Sequence, residues 1–67
     1  MTGSELVTRL VKVHGCTKVR QKSSHVRIAC GPCNTTVVVH VGEDIGKGLM
    51  SAIRRDLVPC LGKGWWK

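Results

Sequence analysis

Two histidines and a row of cations are the residues of this chain best suited to chemistry. His25 stands inside the stretch Arg20-Gln21-Lys22-Ser23-Ser24-His25-Val26-Arg27-Ile28. Imidazole is the side chain whose ordinary pKa lies near neutrality, so it can take or give a proton there. Arg20, Lys22 and Arg27 supply the charge that holds a polyanion. His40 follows a run of valines, Val37-Val38-Val39. A pair of imidazoles on a basic surface suits phosphodiester chemistry. One removes the proton of an RNA 2′-hydroxyl and the other protonates the leaving oxygen. Arg27 and Lys22 would carry the charge that develops on phosphate. Spacing alone leaves both histidines equally readable as ordinary surface residues of a sheet.

The elements that position these side chains can be read in order. Thr2-Gly3-Ser4-Glu5 fits a capping box. Leu6, Leu10 and Val13 then repeat at helical spacing with Val7 and Val11 alongside, and Gly15 is placed to end that helix. His14 beside that end suits a helix-dipole partner. Thr17 to Lys22 alternates Val19 with Lys18 and Arg20, the pattern of a half-buried strand. Ser23-Ser24 is a turn. His25 to Cys30 is a second strand, with Val26 and Ile28 on one face and His25, Arg27 and Ala29 on the other. Gly31 to Asn34 is a loop, and β-branched Thr35 to Val41 a third strand. After Gly42 to Asp44, Gly46-Lys47-Gly48 opens a second helix with Leu49, Ala52, Ile53 and Leu57 on one side, which Pro59 should stop. The expected fold is α+β in the order α-β-β-β-α, with two helices on one face of a three-stranded antiparallel sheet. All 67 residues form one domain, with residues 61–67 as a Gly/Trp tail carrying Trp65 and Trp66. The tail reads equally as a docking arm or as a segment packed back on the helices.

The strand patterns suggest a register. With Cys30 opposite Thr35, Ile28 faces Val37, Val26 faces Val39 and His25 faces His40. Directly opposed residues have Cβ atoms roughly 4.5–5.5 Å apart. A slip of one residue spoils the apolar pairing, whereas a slip of two keeps the faces and makes the histidines diagonal neighbours.

Composition narrows the partners. The net charge is +7. No acid lies between Glu5 and Glu43, a span holding Arg9, Lys12, Lys18, Arg20, Lys22 and Arg27. So one-sided a field points to a phosphate-rich partner or an acidic protein. No apolar run is long enough to span a membrane and no stretch reads as a secretory signal, so a cytoplasmic location is expected. A chain this short buries only about 60% of its unfolded surface, so a partner, metal or cross-link would help it.

Four cysteines, Cys16, Cys30, Cys33 and Cys60, bear on that need. Cys30-Gly31-Pro32-Cys33 spells a thioredoxin-type motif, but redox chemistry wants the first cysteine at a helix N-terminus, and here a turn and a strand follow. Cys-x-x-Cys in a hairpin turn is a zinc knuckle, and the topology carries Cys16 and Cys60 toward the same corner. The readings, in order, are reduced free thiols as a cytoplasmic protein keeps them, a structural zinc site at Cys16, Cys30, Cys33 and Cys60, and disulfides.

Taken together, the chain resembles the HicA (YcfA-like) family of toxin mRNA interferases. The likeness covers nearly everything up to Leu57. It rests on Ser4-Glu5-Leu6, on Arg20-Gln21-Lys22, on Ser23-Ser24-His25, on the valine-rich run into His40, and on Gly46-Lys47-Gly48-Leu49. The resemblance implies a double-stranded-RNA-binding-domain-like fold, metal-independent endoribonuclease cleavage of mRNA, and neutralisation by a HicB-type antitoxin. It makes His25 the catalytic histidine and His40 a second candidate. Lys18, Arg20, Lys22, Arg27 and Lys47 become the RNA-binding candidates, Lys47 by likeness to a phosphate-contacting lysine. The chain departs from the pattern at Ser23, where the family has glycine, and in the strand before His40, where a proline is usual. A small RNA-binding module that cuts nothing is the alternative function, and a zinc-stapled domain for an acidic protein partner is a third.

Overall fold

The computed structural model describes residues 1–66. Its elements are α1 (Gly3–Lys12), β1 (Thr17–Lys22), β2 (His25–Cys30), β3 (Cys33–Val38) and α2 (Lys47–Leu61). The strands make one antiparallel sheet in the order β1-β2-β3. This is the α-β-β-β-α, α+β architecture expected from the sequence. Lys67, the last residue of the expected tail, lies outside the described residues.

The capping box forms as read. The Glu5 amide donates to Thr2 Oγ1 at 3.2 Å and the Thr2 amide donates to Glu5 Oε1 at 3.0 Å. Two of the amides that a helix start leaves unpaired are thus satisfied. Gly3, the first helical residue, is buried against the end of β3, where a Cβ would run into the Val38 carbonyl oxygen and Val39. Glycine is what lets α1 approach the sheet this closely. The helix ends earlier than its apolar stripe suggests. Val13 is the C-cap, and it is exposed rather than in the core. The chain then turns through Gly15 at φ +72°, and the Cys16 amide returns to the Leu10 carbonyl at 2.9 Å.

The core joins Leu6 and Leu10 of α1 to Val26 and Ile28 of β2, Val37 of β3, and Ile53 and Leu57 of α2. Fully burying one such side chain stabilises by roughly 1.5–3 kcal/mol, so each matters in so small a domain. Buried Thr35 adds a polar tie, donating its hydroxyl to Asp56 Oδ2 at 3.1 Å.

Three further expectations change in the strands, in α2 and at the cysteines. First, β1 is not half-buried: every residue in it is exposed. A bulge between Lys18 and Arg20 interrupts its pairing with β2 and leaves Val19 56% exposed. Second, Pro59 does not stop α2, which runs on to Leu61. Proline removes one amide donor, but the last turn is held by the Cys60–Cys33 bond, by Leu61 against the core, and by the Gly62 amide on the Val58 carbonyl at 2.8 Å. Third, the four cysteines are not free thiols. They form two disulfides, Cys16–Cys30 and Cys33–Cys60, with Cα separations of 4.5 and 6.1 Å. Both lie in the range a disulfide spans.

The tail packs back. Trp65 is 6% exposed and belongs to the core, and its Nε1 donates to the Arg54 carbonyl at 3.2 Å. Its ring meets those of His14 and Trp66 edge to face, with centroids 5.5 and 5.8 Å away. The Arg54 guanidinium lies over the Trp66 ring at 4.9 Å, a cation–π contact. His14 is thus a packing partner of Trp65 more than a helix-dipole partner.

Two predictions follow from these contacts. Trp65→Ala should destabilise by about 3–5 kcal/mol, measured as the midpoint of denaturant unfolding. The capping box also makes stability acid-sensitive. The Thr2 amide and hydroxyl hold the Glu5 carboxyl below its ordinary pKa. Its folded value lies under its unfolded one, so this stabilisation is complete above the unfolded pKa and fades as pH falls through the folded pKa. Glu5→Gln keeps the acceptor and should flatten the acid limb of a melting-temperature-against-pH curve.

Candidate nucleic-acid interface

The sheet face away from the helices carries the site. Between β2 and β1, Arg27 pairs with Arg20 and His25 with Lys22. Between β2 and β3, Arg27 pairs with Thr36 and His25 with Val38. Opposed residues of an antiparallel pair share a face, so Arg20, Lys22, His25, Arg27 and Thr36 stand together. They line one hollow of about 310 Å³, together with Ser23. That volume is at the low end for small-molecule sites.

Like charges directly across a strand pair repel, and here two such pairs adjoin: Arg20 with Arg27, and Lys22 with His25 once protonated. No carboxylate lines the hollow. Arg27 is held by neutral acceptors, donating to Thr36 Oγ1 at 2.9 Å and to Asn34 Oδ1. These bonds aim the guanidinium without cancelling its charge. The arrangement gathers three cations and an imidazole with no carboxylate among them. Asn34 and Thr36 were not singled out in the sequence. A two-residue hairpin turn at Gly31-Pro32 would have revealed both as neighbours of Arg27.

That same turn corrects the register. Cys30 pairs with Cys33 and Ile28 with Thr35, so the loop is Gly31-Pro32 alone and β3 starts at Cys33. The slip from the expected pairing is two residues. Faces are kept, but His25 opposes Val38 instead of His40. His40 lies past the end of β3, exposed, in a separate hollow with Val38, Glu43 and Asp44. The carboxylates there repel phosphate. Val38, the cross-strand partner of His25, lines that second hollow and not the first, so the two histidines belong to different hollows.

The other candidates scatter. The bulge turns Lys18 opposite Ile28, on the other side of the sheet from Arg20 and Lys22. Lys47 is the exposed first residue of α2, next to Gly46 of the His40 hollow. No group of three or more His, Cys, Asp or Glu side chains among the described residues is arranged to hold a metal ion. No helix among them is long and apolar enough to cross a membrane.

The turn that presents His25 is under local tension. Ser23 has φ +56°, in the region where a side chain crowds its own backbone. It is the first residue of a two-residue hairpin, where a type II′ turn calls for glycine. Gln21 steadies it, its Nε2 donating to the Ser23 carbonyl at 3.0 Å.

Comparison with known proteins gives a class and then a family. The matching family model is described as the HicA toxin of bacterial toxin-antitoxin, so the class is a toxin of a toxin–antitoxin system. The match runs over residues 3–57 of the 67, and the chain belongs to the HicA toxin family. It takes in the whole sheet and α1 and stops within α2, before Trp65. No curated protein and no solved structure gives a match.

Ser23→Gly should raise stability by about 0.5–1 kcal/mol, the relief of a left-handed side chain less the entropy glycine brings to the unfolded chain. Paired denaturation curves of the two proteins check it.

Proposed function

We propose that this toxin is an endoribonuclease that cuts mRNA at the His25 hollow and that a HicB-type antitoxin silences it. The observation that carries the reading is the placement of one exposed imidazole among three exposed cations on a face without carboxylates. Family membership supplies the toxin class, and HicA toxins are generally ribonucleases. In this reading Arg20 and Arg27 seat a phosphate of the RNA backbone. Neutral His25 takes the proton of the adjoining 2′-hydroxyl, whose oxygen attacks phosphorus. The 5′-oxygen leaves with the P–O electron pair and takes a proton from water. Lys22, opposite His25, and Arg27 offset the charge that builds on the phosphoryl oxygens. No step calls on a metal. Such a face, basic and open, is also easily masked by an acidic protein surface.

His25→Ala should lower the cleavage rate of single-stranded RNA by about 10²–10⁴-fold and leave the dissociation constant within a few-fold. Arg27→Gln should weaken binding as well as cleavage. His40→Ala should cost much less than His25→Ala, given its separate, acidic hollow. Gel analysis of cleavage and fluorescence anisotropy of binding, on the same proteins, read these outcomes. Wild-type protein that binds RNA and never cuts it would overturn the nuclease reading in favour of a non-catalytic RNA-binding module. Equal loss from His40→Ala would move the chemistry out of the hollow.

A further inference from the structure

The cysteine corner stands apart from the nuclease face. Cys30 and Cys33 are cross-strand partners flanking Gly31-Pro32, so their side chains share a face. It is the helix face, since Cys30 is buried in the core and Cys33 packs against it. Cys16 reaches Cys30 from the segment after α1, and Cys60 reaches Cys33 from the last turn of α2. All four sulfurs therefore collect at one end of the molecule, on one side of the sheet, from three separate segments. A closed set of four thiolates is a structural zinc donor set. With Zn–S near 2.3 Å, the sulfurs of a tetrahedral site stand about 3.8 Å apart. Each bonded pair would have to part by less than about 2 Å. A hollow lined by His14, Cys30 and Cys60 opens this corner to solvent, which gives an ion and a reductant a way in.

We propose that the reduced chain binds one Zn²⁺ through Cys16, Cys30, Cys33 and Cys60, and that the disulfide-paired and zinc-bound forms are alternative staples of one corner. The exchange balances. Two equivalents of a dithiol give up four electrons and four protons to the two disulfides and become cyclic disulfides themselves. The four thiols then lose their protons to solvent as they bind the ion. Both forms tie the segment after α1, the β2–β3 hairpin and the end of α2 together, so the fold is the same in each. In a reducing compartment, where disulfides do not persist, the ion takes over the role.

The test uses the full chain, reduced without oxygen and freed of metal, then titrated with Co²⁺ and with Zn²⁺. One equivalent of Co²⁺ should give the intense visible bands and near-ultraviolet thiolate-to-metal absorption of tetrahedral sulfur coordination, and Zn²⁺ should bleach them. Zinc at about a hundredfold over its dissociation constant should raise the melting temperature of the reduced chain by about 10 °C or more. The oxidised chain should bind neither ion this way. Cys33→Ser should weaken and shift the cobalt spectrum. Should that variant fail to fold, Cys60→Ser, near the end of α2, gives the same readout. Less than one equivalent bound, an octahedral cobalt spectrum, or a melting temperature unmoved by zinc would overturn the proposal. His25→Ala should bind zinc like the wild type, so this result and the fate of the nuclease reading are separable.

Discussion

The two-residue turn Gly31-Pro32 is the constraint on which the rest depends. Proline fixes its own φ at a negative value, so a turn needing positive φ at both centres is closed to this pair. Gly31 supplies the positive φ, +62°, at the first position, the combination a type II′ turn uses. With the turn fixed, the register of β2 and β3 follows without freedom. Ile28 meets Thr35 and Val26 meets Val37 on the core side. Arg27 meets Thr36 and His25 meets Val38 on the open side. The same turn puts Cys30 across from Cys33. One turn therefore sets the core, the basic hollow and the cysteine corner at once.

The open face and the helix face divide the labour. Helices cover β2 and β3 through Leu6, Leu10, Ile53 and Leu57, which leaves β1 as an exposed edge. Exposed edges invite pairing with other chains. Here Lys18, Arg20 and Lys22 and a bulge at Val19 discourage it. Two of these edge cations, Arg20 and Lys22, also line the basic hollow. The bulge has a further effect. It separates Lys18 from the other two, so three cations that look equivalent in sequence are not equivalent in space.

Much of this was legible before the structure. The capping box, the element order and the two faces of β2 follow from local patterns, and so does His25 beside Arg20, Lys22 and Arg27. What escaped were features decided by geometry across the fold. A period-two pattern fixes faces but not partners, so it does not separate a four-residue loop, which sets the two histidines opposite each other, from the two-residue turn that the chain makes. An alternating Val19 looked half-buried because a bulge leaves no mark in composition. Pro59 looked like a stop because the contacts that hold the turn beyond it come from Cys33 and the core. Trp65 lay in a glycine-rich tail, and nothing local says that it packs against His14 and Arg54. The cysteines gathered where topology put them, while their pairing depended on Cα separations that no spacing rule supplies.

The opposed cations Arg20 and Arg27, with Lys22 beside His25, give dissolved salt two effects of opposite sign on one group of side chains. Screening weakens the repulsion between strands β1 and β2, so added salt should firm the hairpin. The same screening weakens the hold of those cations on any polyanion. The folded domain and its complex thus answer ionic strength in opposite directions. A bound polyanion does what salt does for the hairpin, and more locally, so occupancy of the face and rigidity of the β1–β2 hairpin rise together.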